Sequence, residues 1–141
     1  MLTAPWASVP DILSSGGPKE GRIRVDATNI LLSRPPNPRI DDLKGESGGE
    51  IVARLALAAR VVKAFNTLPF ATVFAPAPES ATRVFFIAGD DASAVATVAG
   101  LIDELGLHPL PLGSLAQAGR HMELAGPLSG SELLTPKIGA A

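Results

Sequence analysis

Cysteine is absent from all 141 residues, which removes disulfides, thiolate nucleophiles and zinc–thiolate sites together. That absence suits a reducing cytoplasm, where the chain is expected to work. Excess positive charge is missing too. Twelve basic against fourteen acidic side chains leave a formal charge of −2. No basic surface is available for a phosphate backbone, so nucleic acid is not an expected partner. Nor is there a long uninterrupted apolar run, because Arg54 and Arg60 break the longest one, and no membrane span is expected. The apolar start has no basic leader region and is broken by Pro5, Pro10 and Asp11, unlike a signal peptide.

The usual catalytic signatures are missing as well. No G-x-x-x-x-G-K-[ST] run and no G-x-S-x-G elbow occur, which argues against a P-loop protein and an α/β-hydrolase. His108 and His121 stand apart without ligand spacing and read as surface or packing residues. The acid pairs Asp41-Asp42 and Asp90-Asp91 read as a solvated loop and a helix start. No metal site and no catalytic residue is assigned. Most telling, three segments look like strand ends of a nucleotide-binding α/β protein, yet no glycine-rich phosphate loop precedes them. They are Met1–Trp6, Ile23–Asn29 and Arg60–Thr67.

What is present is enough for a core: 46% of residues are apolar, and the 13 prolines and 14 glycines cluster between periodic segments. Met1–Pro5 reads as the tail of a buried strand. Ser8 would cap a short helix with Val9, Ile12 and Leu13 on one face. Arg22–Thr28 reads as a strand. The stretch Ser33–Pro38 is too proline-rich for a regular element, and a long exposed loop is expected through Lys44. Ser47-Gly-Gly-Glu50 fits a capping box ahead of Ile51, Val52, Leu55 and Ala59 at helical spacing. Arg60–Asn66 is the next strand, and Thr67 with Pro69 would start a helix carrying Phe70, Val73 and Phe74. Val84–Ala88 is the most strand-like run. Asp90 or Asp91 would cap a helix lined by Val95, Val98, Ile102 and Leu105 and closed at Gly106. His108–Leu112 reads as an edge strand and Leu115–Leu124 as a last helix. Strands alternating with helices predict an α/β fold with a mostly parallel, partial Rossmann-like sheet flanked by helices.

In an open parallel sheet the ligand crevice lies beyond the carboxyl ends of the strands. Pro5, Trp6, Thr28, Asn29, Phe65, Asn66 and Thr67 collect there. They supply turn geometry, amide hydrogen bonds and apolar rings, an inventory suited to stacking two organic cofactors at near-attack distance, roughly 3–3.5 Å. Each has a plainer role: Trp6 covering the sheet end, Phe65 filling the core, the asparagines forming turns.

Several strings occur here in order: Ala4-Pro5-Trp6, Asp26-Ala27-Thr28-Asn29, Val61-Val62-Lys63-Ala64-Phe65-Asn66-Thr67, Phe86-Ile87-Ala88-Gly89-Asp90-Asp91 and Leu101–Gly106. Together they resemble the F420-dependent NADP oxidoreductase family, over its C-terminal two-thirds. The resemblance implies hydride transfer between NADP(H) and a deazaflavin, coenzyme F420, or a similar acceptor. A flavin, an imine or a metal-reducing partner remains compatible with related Rossmann domains. It also implies that Pro5-Trp6, Asn29 and the Ala64-Phe65-Asn66-Thr67 turn face the two rings. Ile30 stands where the family pattern leads one to expect proline, and the Pro-rich stretch after it departs from that pattern.

The expected organisation is a truncated Rossmann-like NAD(P)-binding domain over 1–130 and a C-terminal tail over 131–141. A sheet lacking its first glycine-rich βα unit would bind NADP weakly or not at all on its own. It would also expose an open edge at Met1–Pro5 suited to homodimer pairing. A non-catalytic remnant or a dimeric binding module of the same fold is the competing expectation.

Overall fold

A computed structural model describes residues 1–17, 20–34 and 36–137. Its central sheet runs β1 (Ile23–Asp26), β4 (Arg60–Ala64), β5 (Ala81–Gly89) and β6 (His108–Pro111) in that order. β7 (Leu134–Pro136) pairs antiparallel with the opening of β5. Segment 131–137, expected as part of a tail, therefore contributes a strand. β1 and β4 are parallel, as are β5 and β6, whereas β4 and β5 run antiparallel. Beyond β1, Leu2 makes a parallel bridge to Asp26; its N–H donates to the Val25 carbonyl at 2.8 Å and its carbonyl accepts from Ala27 N–H at 3.0 Å.

Helices cover both faces. Alternation along β5 sends Val84, Phe86 and Ala88 to one side and Phe85 and Ile87 to the other, all buried. The first side packs α1 (Val9–Ser15), α2 (Gly48–Leu55) and α5 (Leu115–Met122). The second packs α4 (Ala92–Glu104) through Ala94, Val98 and Ile102. The expected α/β class with a partial Rossmann-like sheet is the one observed.

The capping box at Ser47 forms as the sequence predicts: Ser47 Oγ accepts from Glu50 N–H at 3.0 Å, and Glu50 Oε2 accepts from Ser47 N–H at 2.7 Å. Ser47 Oγ also donates to the Leu115 carbonyl at 3.0 Å, tying α2 to α5. Asp91, rather than Asp90, caps α4, while Asp90 accepts from Leu115 N–H at 3.0 Å. Other expectations fail locally. Ser8 makes no side-chain cap, and Ile12 is 40% exposed. Ala59 lies beyond the end of α2 at Leu55. In α3 (Phe70–Val73) only Val73 is buried; Phe70 and the following Phe74 stack on each other in solvent. Leu105 also faces outward. The loop expected from Ser33 through Lys44 instead takes part in a small hairpin, β2 (Leu31–Ser33) against β3 (Arg39–Ile40), which leaves Pro36 and Pro38 in the connection between strands. Both histidines are exposed.

Ser47→Ala should cost about 2–3 kcal/mol in urea unfolding, because a cap and a buried inter-helix bond vanish together. Ser114→Ala, which removes only the α5 cap, should cost about 1 kcal/mol or less in the same measurement.

Candidate functional site

Parallel pairing dictates where the site forms. Leu2 lies against Asp26, and Asp26 lies in register with Lys63, so three chain segments leave the sheet at the same edge. Each segment runs on into a turn: Thr3–Trp6, Ala27–Asn29 and Phe65–Asn66. The turns surround a cavity of about 500 Å³. Pro5, Trp6, Thr28, Asn29 and Phe65 line it directly, joined by the β2 wall and by Phe70. Ala64, Asn66 and Thr67 do not line it. Ala64 is fully buried in the sheet, and the Thr67 carbonyl accepts from Gly130 N–H at 2.7 Å. Asn66 instead supports Asn29: Asn29 Nδ2 donates to the Asn66 carbonyl at 3.3 Å, and Asn66 Nδ2 donates to the Met122 carbonyl at 2.7 Å. Buried Asn66 Oδ1 has no partner among the described residues.

Two features distinguish this edge. Phe65 holds φ at +65°, a left-handed conformation that costs an aromatic residue about 1–3 kcal/mol and is concentrated at ligand sites. Its ring rests on Phe85 at a centroid distance of 5.3 Å. Trp6 is buried, and its indole Nε1 donates to Asp41 Oδ2 at 2.7 Å, fastening the far end of the hairpin to the first turn.

Behind the turns lies a charged group that sequence reasoning missed. Lys63, fully buried, places Nζ 3.2 Å from Asp26 Oδ2, 3.4 Å from Glu123 Oε1 and 3.1 Å from the Thr28 carbonyl, to which it donates. Asp26 Oδ1 accepts from both Thr28 N–H (2.9 Å) and Thr28 Oγ1–H (2.7 Å). Glu123 Oε1 also accepts from Gly48 N–H at 3.0 Å, while its Oε2 is buried without a partner among the described residues. The Thr28–Asn29 turn is thus held from beneath by an ammonium and a carboxylate. The one signal present in the sequence was a lysine within the apolar run Val61–Phe65. Burial pushes the Glu123 carboxyl above its ordinary value of 4.5, with Lys63 opposing the shift and Asp26 adding to it.

No family model matches the chain. A hypothetical protein of Sinorhizobium meliloti superposes with a TM-score of 0.86 at 39% identity, over 95% of this chain and 65% of that one. A proposed F420-dependent NADP-reductase from Arthrobacter sp. FB24 gives a TM-score of 0.69 at 31% identity, over 82% of this chain and 55% of that one. The resemblance read from the sequence is borne out. Among curated proteins, metalloreductase STEAP3 of Rattus norvegicus is 35% identical over 98 residues, 70% of this chain and 19% of the relative. The chain spans less than two thirds of each of these proteins.

A raised folded value for Glu123 means its contribution to stability is full below 4.5 and is lost as pH climbs through that higher value. Glu123→Gln keeps Oε1 as an acceptor and abolishes the titration. Unfolding free energies from about pH 4 to about pH 8 should therefore fall for the wild type relative to the variant. Lys63→Met, which strands two buried carboxylates, should cost about 3–5 kcal/mol at neutral pH.

Proposed function

We propose that this cavity holds the reacting rings in hydride transfer between NADP(H) and a deazaflavin such as coenzyme F420, or a similar acceptor. The observation that carries the reading is the convergence of Pro5-Trp6, Thr28-Asn29 and Phe65 on one cavity, at the carboxyl ends of parallel strands. Strand-end crevices of this kind are where open α/β sheets take up nucleotides. The names of the related reductases support the choice of cofactors, and the choice of F420 rests on them.

The residues present fit the ring portions. The cavity is ringed mostly by apolar side chains, with Asn29 at the turn and the unpartnered Asn66 Oδ1 close behind it. Apolar walls suit flat rings, and the Asn29 amide offers a ring edge a hydrogen-bonding partner. When bound, the two cofactors supply the hydride donor and acceptor themselves. The chain's task is positional. Phe65 and Trp6 give flat apolar support, Asn29 fixes an edge, and the turns exclude water. Lys63 and Asp26 hold Thr28 so that the Asn29 turn keeps its place.

Fluorescence titration of the purified chain with F420, and separately with NADPH, tests this. F420 should give a saturable signal that Phe65→Gly weakens about fivefold or more, although glycine relieves the positive φ and limits the loss of folding stability. No saturable signal for either ligand up to ~1 mM would remove the reading.

A further inference from the structure

We infer that the acceptor taken by this cavity carries an anionic group, and that Arg34 at the end of the β2 wall receives it. This rests on the ring-binding reading above and adds the substrate's charge to it. Arg34 is the single charged side chain among the described residues that line the cavity, and no carboxylate among them lines it. It makes no ion pair among the described residues.

The surroundings leave that charge without an ion-pair partner among the described residues. Segment 31–40 contains Arg34 and Arg39 and no acid, in a chain whose formal charge is −2. The nearest acids in sequence are committed elsewhere: Asp41 accepts from the Trp6 indole, and Asp42 pairs with Lys44. Across the hairpin, Arg39 stands opposite Ser33, the residue before Arg34. Arg39 therefore adds a second positive charge to the hairpin that carries Arg34, although it does not itself line the cavity.

That wall is tied in place. Leu31 pairs with Ile40, Ser33 Oγ donates to the Asn37 carbonyl at 2.7 Å, and Asp41 N–H donates to the Ile30 carbonyl at 2.9 Å. Together with the Trp6–Asp41 bond, these contacts set Arg34 along the same cavity as Phe65 and Phe70. A planar ring seated on the aromatic side with a tail running along β2 would bring a phosphate or carboxylate to the guanidinium. Arginine suits either group, because its planar fork matches two oxygens at once.

Riboflavin and its 5′-phosphate, FMN, share one ring system and differ by one anionic group, so they serve as probes. The wild-type chain should bind FMN about two- to fivefold more tightly at low salt, the range expected of a solvent-accessible ion pair. The preference should shrink as salt is added. Arg34→Gln should bring the FMN-to-riboflavin ratio close to one while leaving riboflavin affinity unchanged, and Arg34→Lys should keep part of the preference. Equal affinities in the wild type, or an equal loss of both ligands in Arg34→Gln, would overturn the anionic assignment and leave the ring reading intact. Binding of neither probe would remove both.

Discussion

The buried Lys63 ammonium is the interaction on which the rest of the molecule's working edge depends. It lies between two carboxylates and a backbone carbonyl, and each of the three belongs to a different structural duty. Asp26 ends β1 and cradles Thr28. Glu123 comes directly after α5 and anchors the first amide of α2. The Thr28 carbonyl begins the turn that forms the cavity wall. A buried charge stripped of its partners is strongly destabilising, so the positions of sheet, helix and turn depend on one another through Lys63.

The sheet topology explains why this centre serves a cavity. Had β1 and β4 run antiparallel, their carboxyl ends would lie on opposite edges and the turns after them could not meet. Parallel pairing puts Asp26 beside Lys63 and sends both chains out together. The reversal comes one strand later, at β5, which enters the sheet from the end at which β4 leaves it, so residues 65–80 turn back at that end. Arg83 secures that return by donating to the Val73 and Ala75 carbonyls at 2.9 and 3.1 Å. Phe70 thereby stays at the cavity rim although α3 is only one turn long.

Local signals in the sequence were read well where they were local in cause. The Ser47 capping box, the positive-φ glycine at Gly106 and the alternation within Val84–Ala88 all depend on neighbours a few residues away. The hairpin at 31–40 was missed because its prolines mark the turn and hide two short pairing segments on either side. The outward face of Phe70 and Phe74 was missed because apolar spacing alone does not say which side of a short helix finds a core. Lys63 was hidden for a deeper reason. Its partners lie 37 and 60 positions away, and only the register of β1 on β4 and the docking of α5 bring them together. Convergence of Trp6, Asn29 and Phe65 was legible because parallel strand ends share an edge whatever the register. Asn66 was placed one layer too far forward for the same lack of side-chain direction.

Glycine at 48, 49 and 119 has a consequence for how this architecture can come apart. A β-carbon at Gly48 would stand 2.9 Å from an Ile30 methyl, at Gly49 2.9 Å from Leu115, and at Gly119 2.7 Å from Ser47 Oγ. Two glycines in the opening turn make α2 a poor helix by itself, each costing about 0.5–1 kcal/mol against alanine. Its eight residues are too few to persist unaided. The helix therefore borrows its existence from α5 and from the charged centre that its first amide touches. Loosening any one of the three therefore weakens the other two, so the support behind the Thr28–Asn29 turn is shared between distant parts of the chain.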